Sequence, residues 1–189
     1  MLIYLHGFNS SPQSFKARLL QERMVALGRA GEFACPALSH RPNAAIAQVE
    51  ALLAGRDPAG TTLVGSSLGG FYATWLAERH GVRAALINPA VHPGDSLSAY
   101  LGMQKNLYTA EEYELTAEHL AELRALEVDA ITPERYFLLV ETGDELLDYR
   151  VAVERYRGCQ QRVVPGGDHG CSDFACYVDV ILSFAAVVS

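Results

Sequence analysis

The sequence predicts an α/β fold, in which a mostly parallel sheet of about six strands is covered by helices on both faces. Short apolar runs alternate with longer stretches of helical spacing along the 189 residues, and strands separated by helices pair in parallel through right-handed crossovers. The runs are continuous rather than alternating in polarity, as a sheet buried on both faces requires. The chain shows no internal repeat and no linker, so residues 1–189 are expected to form a single domain.

The predicted elements follow one another in regular order. In chain order, the predicted strands span residues 2–5, 32–35, 61–64, 84–88, 136–140 and 162–164. The predicted helices span 15–27, 44–53, 68–80 and 149–156, with a final helix from about residue 173 that includes the apolar run 178–188. Gly28 and Gly55 are suitable stops for the first two helices, because glycine is favoured just past the end of a helix.

Residues 89–133 interrupt this alternation. The segment is too long for a simple loop and is rich in Glu, Leu and Tyr, and residues 111–126 have helical character. Long insertions in compact domains commonly cover a binding site. We therefore predict a small helical lid at about 89–133.

Composition excludes several classes of protein. The formal net charge of −7 disfavours a nucleic-acid partner, which would select a basic face. No apolar run reaches the ~20 residues that a membrane span needs, and the first residues lack the pattern of a secretory signal. We expect a cytoplasmic protein with reduced, buried cysteines. These are Cys35, Cys159, Cys171 and Cys176.

A candidate nucleophile lies at the junction of a strand and a helix. Residues 65–69 read Gly-Ser-Ser-Leu-Gly, which matches Gly-x-Ser-x-Gly around Ser67. The apolar strand 61–64 precedes this motif and the helix 68–80 follows it. A sharp turn at that point exposes the serine hydroxyl at the end of the strand. The alternative is a Gly/Ser-rich turn that only caps the helix, and neighbouring Ser66 is at most a helper.

A base and an acid are predicted after the last two strands. His169 lies in a glycine-rich loop just beyond the sixth strand, where it can return over the edge of the sheet. Asp144 follows Thr-Gly at the turn after the fifth strand and is the preferred acid. Other carboxylates remain open for that role, and Asp144 could instead cap the next helix. The other carboxylates are Glu141, Glu145 and Asp148.

Two backbone amides are expected to bind an oxyanion. One belongs to Leu68, the residue after the nucleophile, and the other to Phe8 in the loop after the first strand. Gly7 allows the backbone of that loop to come close. His6 is expected to make a structural hydrogen bond rather than to take part in chemistry.

These motifs together resemble the small bacterial YqiA/YcfP-type esterases. The resemblance extends over residues 6–11, 65–75, 88–91, 100–102, 106–109, 142–145 and 148–150. It implies a compact α/β-hydrolase fold with a small helical lid, a sheet of order 2-1-3-4-5-6, esterase activity and a triad of Ser67, Asp144 and His169. The chain departs from the family at 168–171, where it reads Asp-His-Gly-Cys and the family commonly has an Asn-His-Ala-Phe-like stretch. The histidine is kept, so the triad stands.

The predicted activity is hydrolysis of small carboxylic esters with short-to-medium acyl chains, without a metal or cofactor. Substrate is expected to contact Gly7, Tyr100, Leu101 and Tyr108. The insertion offers a wider apolar wall made of Tyr100, Leu101, Met103, Leu107, Tyr108 and Tyr113. Acyl-thioester hydrolysis, peptidase or amidase activity, and non-catalytic binding on the same fold are the alternatives. The sequence gives no oligomeric state.

Overall fold

The computed structural model describes residues 1–186, which form a parallel sheet with helices on both faces. The strands are β1 (Leu2–Leu5), β2 (Phe33–Ala34), β3 (Thr62–Ser66), β4 (Arg83–Ile87), β5 (Gly102–Lys105), β6 (Glu112–Leu115), β7 (Tyr136–Glu141) and β8 (Gln160–Val164). The helices are α1 (Phe15–Ala26), α2 (Pro42–Leu53), α3 (Leu68–His80), α4 (Pro93–Ser96), α5 (Ala117–Ala125), α6 (Tyr149–Arg155) and α7 (Val178–Phe184).

The six strands of the main sheet lie in the order β2-β1-β3-β4-β7-β8, and every neighbouring pair is parallel. This confirms the predicted order, because β5 and β6 belong to the insertion and pair with each other. The strand order reverses between β1 and β3. The loops after these two strands therefore diverge and leave a crevice at their carboxyl ends.

The central strands could be predicted from the sequence because they are buried. Strands β1, β3 and β7 are buried along their whole length, and β4 is buried beyond Arg83. Strand β8 lies at the edge and exposes three of its five residues. Its polar start at Gln160 lies two residues before the predicted strand, because an edge strand can begin with side chains that face solvent.

Each face of the sheet packs against its own helices. Helices α2, α3, α5 and α6 contribute to one apolar cluster, and α1 and α7 contribute to the other. Successive residues of β4 enter opposite clusters, with Leu86 in the first and Ala85 and Ile87 in the second. This alternation follows from the pleat of the strand. It places the sheet between two apolar layers, with the loops at its carboxyl edge free to form a site.

The insertion is only partly helical, which corrects the predicted lid. A helix was expected over residues 111–126, but Glu112–Leu115 forms β6, which pairs antiparallel with β5. Helix α5 begins only at Ala117, where Thr116 and His119 form a capping box. Buried or half-buried side chains alternate with exposed ones along both strands, as in a hairpin with one face covered. The glutamates of 111–114 favour a helix locally, but the hairpin pairing prevails.

Two further expectations need adjustment. The apolar run 178–188 forms α7 as far as Phe184, and residues 187 and 188 lie outside the described residues. Cys171 is buried, Cys35 and Cys159 are half-buried, and Cys176 is exposed, so the expectation of burial is wrong for Cys176. Cys176 lies in a short turn ahead of α7 whose outer side faces solvent. Within residues 1–186, no helix is long and apolar enough to cross a membrane.

Candidate active site

The predicted site residues come together at the carboxyl edge of the sheet. Ser67 follows β3, Asp144 follows β7 and His169 lies in the loop after β8. Phe8 lies in the loop after β1. The parallel strands all end at this edge, so four loops that are distant in sequence converge at one point. This is the crevice that the reversal of strand order between β1 and β3 creates.

Ser67 occupies a strained turn between β3 and α3. Its backbone has φ 54° and ψ −121°, outside the usual regions for an L-residue. The Ser67 amide donates to the carbonyl of Ile87 at 3.0 Å, which fixes the turn to the neighbouring strand. A Cβ at Gly69 would lie 2.0 Å from the carbonyl oxygen of Leu5, so only glycine allows α3 to approach β1 this closely. The turn therefore has the geometry expected of a nucleophile elbow.

His169 connects Ser67 to Asp144. Its Nδ1 lies 2.8 Å from Asp144 Oδ2, and its Nε2 lies 3.0 Å from Ser67 Oγ. A carboxylate can only accept, so Nδ1 carries the proton and Nε2 is left to accept from the serine hydroxyl. The backbone amide of His169 donates to Glu145 Oε2 at 2.9 Å. This arrangement can take a proton from Ser67 and stabilise the imidazolium that results.

Asp144 is held as a buried carboxylate, and its side chain is 2% exposed. Its Oδ1 accepts hydrogen bonds from the amides of Leu146 and Leu147. Burial acts to raise the pKa of Asp144, but the hydrogen bonds from His169 and from these amides outweigh it and hold the pKa below its ordinary value. The alternative role as a helix cap falls to Asp148, which accepts from the Arg150 amide at the start of α6.

Two polar residues position the histidine loop: Asn88, which sequence reasoning did not assign, and Glu141, which it left open only as an alternative acid. Asn88 is buried, donates through Nδ2 to the carbonyls of Asp168 and His169, and accepts through Oδ1 from the Glu141 amide. Glu141 is fully buried and accepts from the Asp168 amide at 2.8 Å. Burial raises the pKa of Glu141. The sequence did contain a signal for this role, because Asn88 and Glu141 are polar residues at the carboxyl ends of the apolar strands β4 and β7.

The loop after β1 brings a second backbone amide to Ser67. A Cβ at Gly7 would lie 3.2 Å from Ser67 Cβ, so this backbone passes directly beside the nucleophile. Within residues 1–186, neither the Phe8 amide nor the Leu68 amide donates to a protein acceptor. His6 is buried, with Nδ1 against the Gly7 carbonyl and Nε2 accepting from the Leu38 amide. The two free amides are therefore available for an oxyanion, and His6 holds the loop.

A cavity of about 560 Å³ opens at Ser67 and His169. Its wall includes Gly7, Phe8 and Tyr108, together with Leu107 from the insertion. Tyr100 packs edge-on against Phe8 at 6.3 Å between ring centroids but does not line the cavity. Leu101 is half-exposed and also lies outside the lining residues. The structure thus brings Gly7 and Tyr108 to the site, and Tyr100 only indirectly.

One group of potential metal ligands lies behind the histidine loop. The ligand atoms of Glu141, Cys171 and Asp173 lie within 4.8 Å of one another. The Cys171 thiol faces both carboxylates, at 3.6 Å from Glu141 and 3.8 Å from Asp173. Burial raises the pKa of Cys171, so the thiol rather than the thiolate is favoured. These groups act on one another as hydrogen-bonding partners.

The whole described part of the chain matches a single family model. Residues 1–186 match UPF0227, an uncharacterised protein family. The chain belongs to UPF0227. This confirms the resemblance to YqiA/YcfP-type proteins. Two UPF0227 relatives, from Yersinia enterocolitica and Pectobacterium atrosepticum, are 24% and 25% identical to it over 150 residues. Each match covers 78% of this chain and 77% of the relative.

Solved structures show which fold this UPF0227 member shares. A protein from Agrobacterium vitis S4 has a TM-score of 0.77 at 21% identity, over 97% of this chain and 87% of that one. Mouse alpha/beta hydrolase domain-containing protein 10 has a TM-score of 0.72 at 18% identity, over 96% and 89%. Est1E from Butyrivibrio proteoclasticus has a TM-score of 0.68 at 16% identity, over 98% and 88%. The UPF0227 chain therefore has the α/β-hydrolase fold.

Proposed function

We propose that this protein is a serine hydrolase that cleaves small carboxylic esters, with Ser67 as nucleophile, His169 as general base and Asp144 as the orienting acid. One observation carries the proposal. Ser67, His169 and Asp144 form a continuous chain of hydrogen bonds, of 3.0 and 2.8 Å, at the wall of a cavity. A nucleophile, a base within hydrogen-bond reach and a group that orients the base are the parts that acyl transfer requires.

In the first half of the reaction, Ser67 Oγ attacks the carbonyl carbon of the ester while its proton passes to His169 Nε2. The carbonyl oxygen becomes an oxyanion, which the amides of Phe8 and Leu68 bind. When the tetrahedral intermediate collapses, the bond to the alcohol oxygen breaks and His169 returns the proton to that oxygen. The alcohol leaves, and the acyl group remains as an ester on Ser67.

In the second half, water enters in place of the alcohol. His169 Nε2 takes a proton from the water while the water oxygen attacks the acyl carbon. The same two amides bind the second oxyanion. Collapse breaks the bond to Ser67 Oγ, which regains a proton from His169, and the carboxylic acid is released. Asp144 remains ionised throughout and stabilises the imidazolium at each step, in keeping with its lowered pKa.

The shape of the site supports a small ester with a short-to-medium acyl chain. The cavity of about 560 Å³ lies within the range of roughly 300–1,000 Å³ that is usual for small-molecule sites. Leu107 and Tyr108 line it from the side of the insertion. The esterase domain of a Rhodothermus marinus protein shares the fold, with a TM-score of 0.65 at 16% identity. The fold thus accommodates the proposed chemistry.

The proposal is tested by hydrolysis of para-nitrophenyl butyrate. We expect wild-type turnover to fall by about 10³-fold or more in Ser67→Ala and in His169→Ala, because residues of a triad act as a unit. Matched controls are Ser98→Ala and His92→Ala, which alter an exposed serine and an exposed histidine outside the cavity. Both controls should retain wild-type turnover. Wild-type protein without esterase activity, or Ser67→Ala with full activity, would refute the proposal.

The same assay separates the alternative substrates. A thioester and an amide with the same butyryl group are offered alongside the ester. Esters should be cleaved with the highest kcat/KM. A thioester preferred over the ester would redirect the proposal to acyl-thioester hydrolysis, and an amide preferred over the ester would redirect it to amidase activity.

A further inference from the structure

The wall of the cavity at Ser67 has an unusual charge pattern. Of the residues that line it, Lys16 is the single lysine or arginine, and no aspartate or glutamate is among them. The other polar groups are mainly hydroxyls, which can all donate hydrogen bonds. They belong to Tyr4, Ser10, Ser14, Ser66, Ser67, Tyr108 and Ser172. One cation among hydroxyl donors is complementary to an anionic group that accepts hydrogen bonds.

Lys16 is held at the cavity wall by its neighbours. It is half-buried in the first turn of α1, and its Nζ donates to the carbonyl of Gly170, the residue after His169. An ammonium has three donors, so two remain after this bond. Burial lowers the pKa of Lys16, and Cys171, Asp168, Glu141 and Asp144 act in the opposite direction. The ammonium therefore lies at the base of the histidine loop, within the cavity that holds the nucleophile.

Ser14 adds a second donor beside Lys16. It is the residue before α1, is 7% exposed and lines the same cavity. Its hydroxyl makes no capping hydrogen bond, and within residues 1–186 its Oγ has no hydrogen-bond partner. A rotation of this side chain toward the cavity weakens its interaction with the Tyr4 hydroxyl but breaks no well-formed hydrogen bond. Buried hydroxyls without partners are rare, because leaving one unsatisfied is costly, so a ligand oxygen at this point would relieve that cost.

We propose that the ester cleaved at Ser67 carries a carboxylate, which is bound in the cavity by Lys16 with a hydrogen bond from Ser14. This inference rests on the proposed esterase function and names the class of its substrate. A single carboxylate fits better than a dianionic phosphate, because the carboxylates of Asp168 and Asp144 already act on Lys16 and would repel a second negative charge. A neutral acyl chain would leave the two remaining donors of the ammonium and the Ser14 hydroxyl without acceptors when water is displaced.

The competing explanation is that Lys16 only anchors the histidine loop through Gly170. Both roles predict that loss of the ammonium weakens catalysis, but they differ in which substrates are affected. An anchor acts on every ester alike, because it moves His169. A substrate-binding cation acts on the carboxylate ester and spares a neutral ester of the same shape.

The experiment compares esters that differ only in charge. Mono-para-nitrophenyl adipate, with a carboxylate on the acyl arm, is paired with the para-nitrophenyl ester of adipamic acid, in which a primary amide replaces the carboxylate. Para-carboxyphenyl butyrate and para-carbamoylphenyl butyrate form the matching pair for the alcohol arm. The ratio of kcat/KM within each pair is measured for wild type, Lys16→Met, Lys16→Arg and Ser14→Ala. Lys105→Met is the matched control, because it removes the other lysine of the chain, which is exposed and outside the cavity.

We expect wild type to prefer the carboxylate in at least one pair. Lys16→Met should lower kcat/KM for that carboxylate ester by roughly 10- to 100-fold, the usual range for a lost charge-assisted hydrogen bond, while the amide partner changes little. Lys16→Arg should keep most of the preference, Ser14→Ala should reduce it, and Lys105→Met should leave it unchanged.

Two results would overturn the inference. One is an equal loss for both members of each pair in Lys16→Met, which would show an anchoring role. The other is a wild-type preference for the amide in both pairs, which decides the question even if Lys16→Met does not fold. Absence of turnover with every ester would instead refute the proposed function.

Discussion

Ser67 stores conformational strain at the centre of the site. Residues forced into sparsely populated backbone regions cost on the order of 1–3 kcal/mol, and Ser67 has φ 54° and ψ −121°. The surrounding structure holds it there, through the amide bond to Ile87 and the close packing of Gly69 on β1. The strain keeps the hydroxyl directed away from the sheet and toward His169.

This strain predicts an unusual order of stability among variants. Ser67→Gly should have a free energy of unfolding about 1 kcal/mol higher than Ser67→Ala, because glycine adopts positive φ without a Cβ clash. Urea denaturation measures the difference. The same two substitutions at Ser98, which lies in a short helical turn, should give the opposite order, since glycine is less favourable than alanine there. Equal stability of the two Ser67 variants would show that the turn is unstrained.

Asp144 predicts how stability depends on pH. Its pKa in the folded protein is lowered, because hydrogen bonds to its carboxylate outweigh the effect of burial. A carboxyl with a lowered folded pKa stabilises the protein above its unfolded pKa, and the contribution disappears as the pH falls through the folded pKa. The difference in free energy of unfolding between wild type and Asp144→Asn should therefore be complete above about pH 5 and should shrink as the pH falls below about 4, toward the lowered folded pKa.

Urea denaturation across this pH range measures the effect, with Asp129→Asn as a control at an exposed position. The difference in free energy of unfolding between wild type and Asp129→Asn should stay the same from neutral to acidic pH. A difference between wild type and Asp144→Asn that grows as the pH falls would contradict the assigned direction of the Asp144 pKa.

At the scale of secondary structure, Asn9 makes three of the hydrogen bonds that join the insertion to the loop after β1, and Asn106 adds another by donating to the Ser10 carbonyl. Asn9 donates through Nδ2 to Gln104 of β5, accepts through Oδ1 from the Tyr113 hydroxyl of β6, and accepts through its carbonyl from the Leu107 amide. Its φ of 51° lies in the left-handed region that asparagine tolerates better than most residues. The hairpin is therefore attached to the same loop that carries the Phe8 amide.

Removal of these contacts should loosen the hairpin alone. In Asn9→Ala the two side-chain hydrogen bonds are lost, at a cost of about 1–3 kcal/mol. We expect faster hydrogen exchange of the β5 and β6 amides with unchanged exchange in β3 and β4. Lys105→Ala, which breaks only an exposed ion pair with Glu112, should leave exchange in the hairpin close to wild type. Unchanged exchange in Asn9→Ala would show that the hairpin is held by other contacts.

The same hairpin shows where sequence-based prediction fails. The strands of the central sheet were predicted within about two residues, because burial on both faces makes them continuous apolar runs. The short, polar β5 and β6 pair with each other and are attached to residues about 100 positions away, such as Asn9, which bonds to Gln104. No local pattern records such contacts. The motifs around Ser67, Asp144 and His169 could be singled out as candidates because each combines a turn with a residue type that the proposed chemistry requires.

For the whole molecule, the order of strands determined the location of the site. A sheet of order β2-β1-β3-β4-β7-β8 brings the loops after β1, β3, β7 and β8 to one edge. The predicted nucleophile follows β3, the predicted acid follows β7 and the predicted base follows β8. The polar framework behind them was not predicted. Asn88 and Glu141 act through neighbouring strands, and a single sequence does not show which strands are neighbours.

The long sequence separation within the proposed triad affects when its residues could meet during synthesis of the protein. The contact between Ser67 and His169 joins residues 102 positions apart, and β8, which carries the histidine loop, is the last strand added to the sheet. Domains made on the ribosome form from the N-terminal end. A nascent chain would therefore complete the elbow at Ser67 while the loop that holds His169 is still unmade. The proposed triad would form only after the residues as far as His169 have left the ribosome.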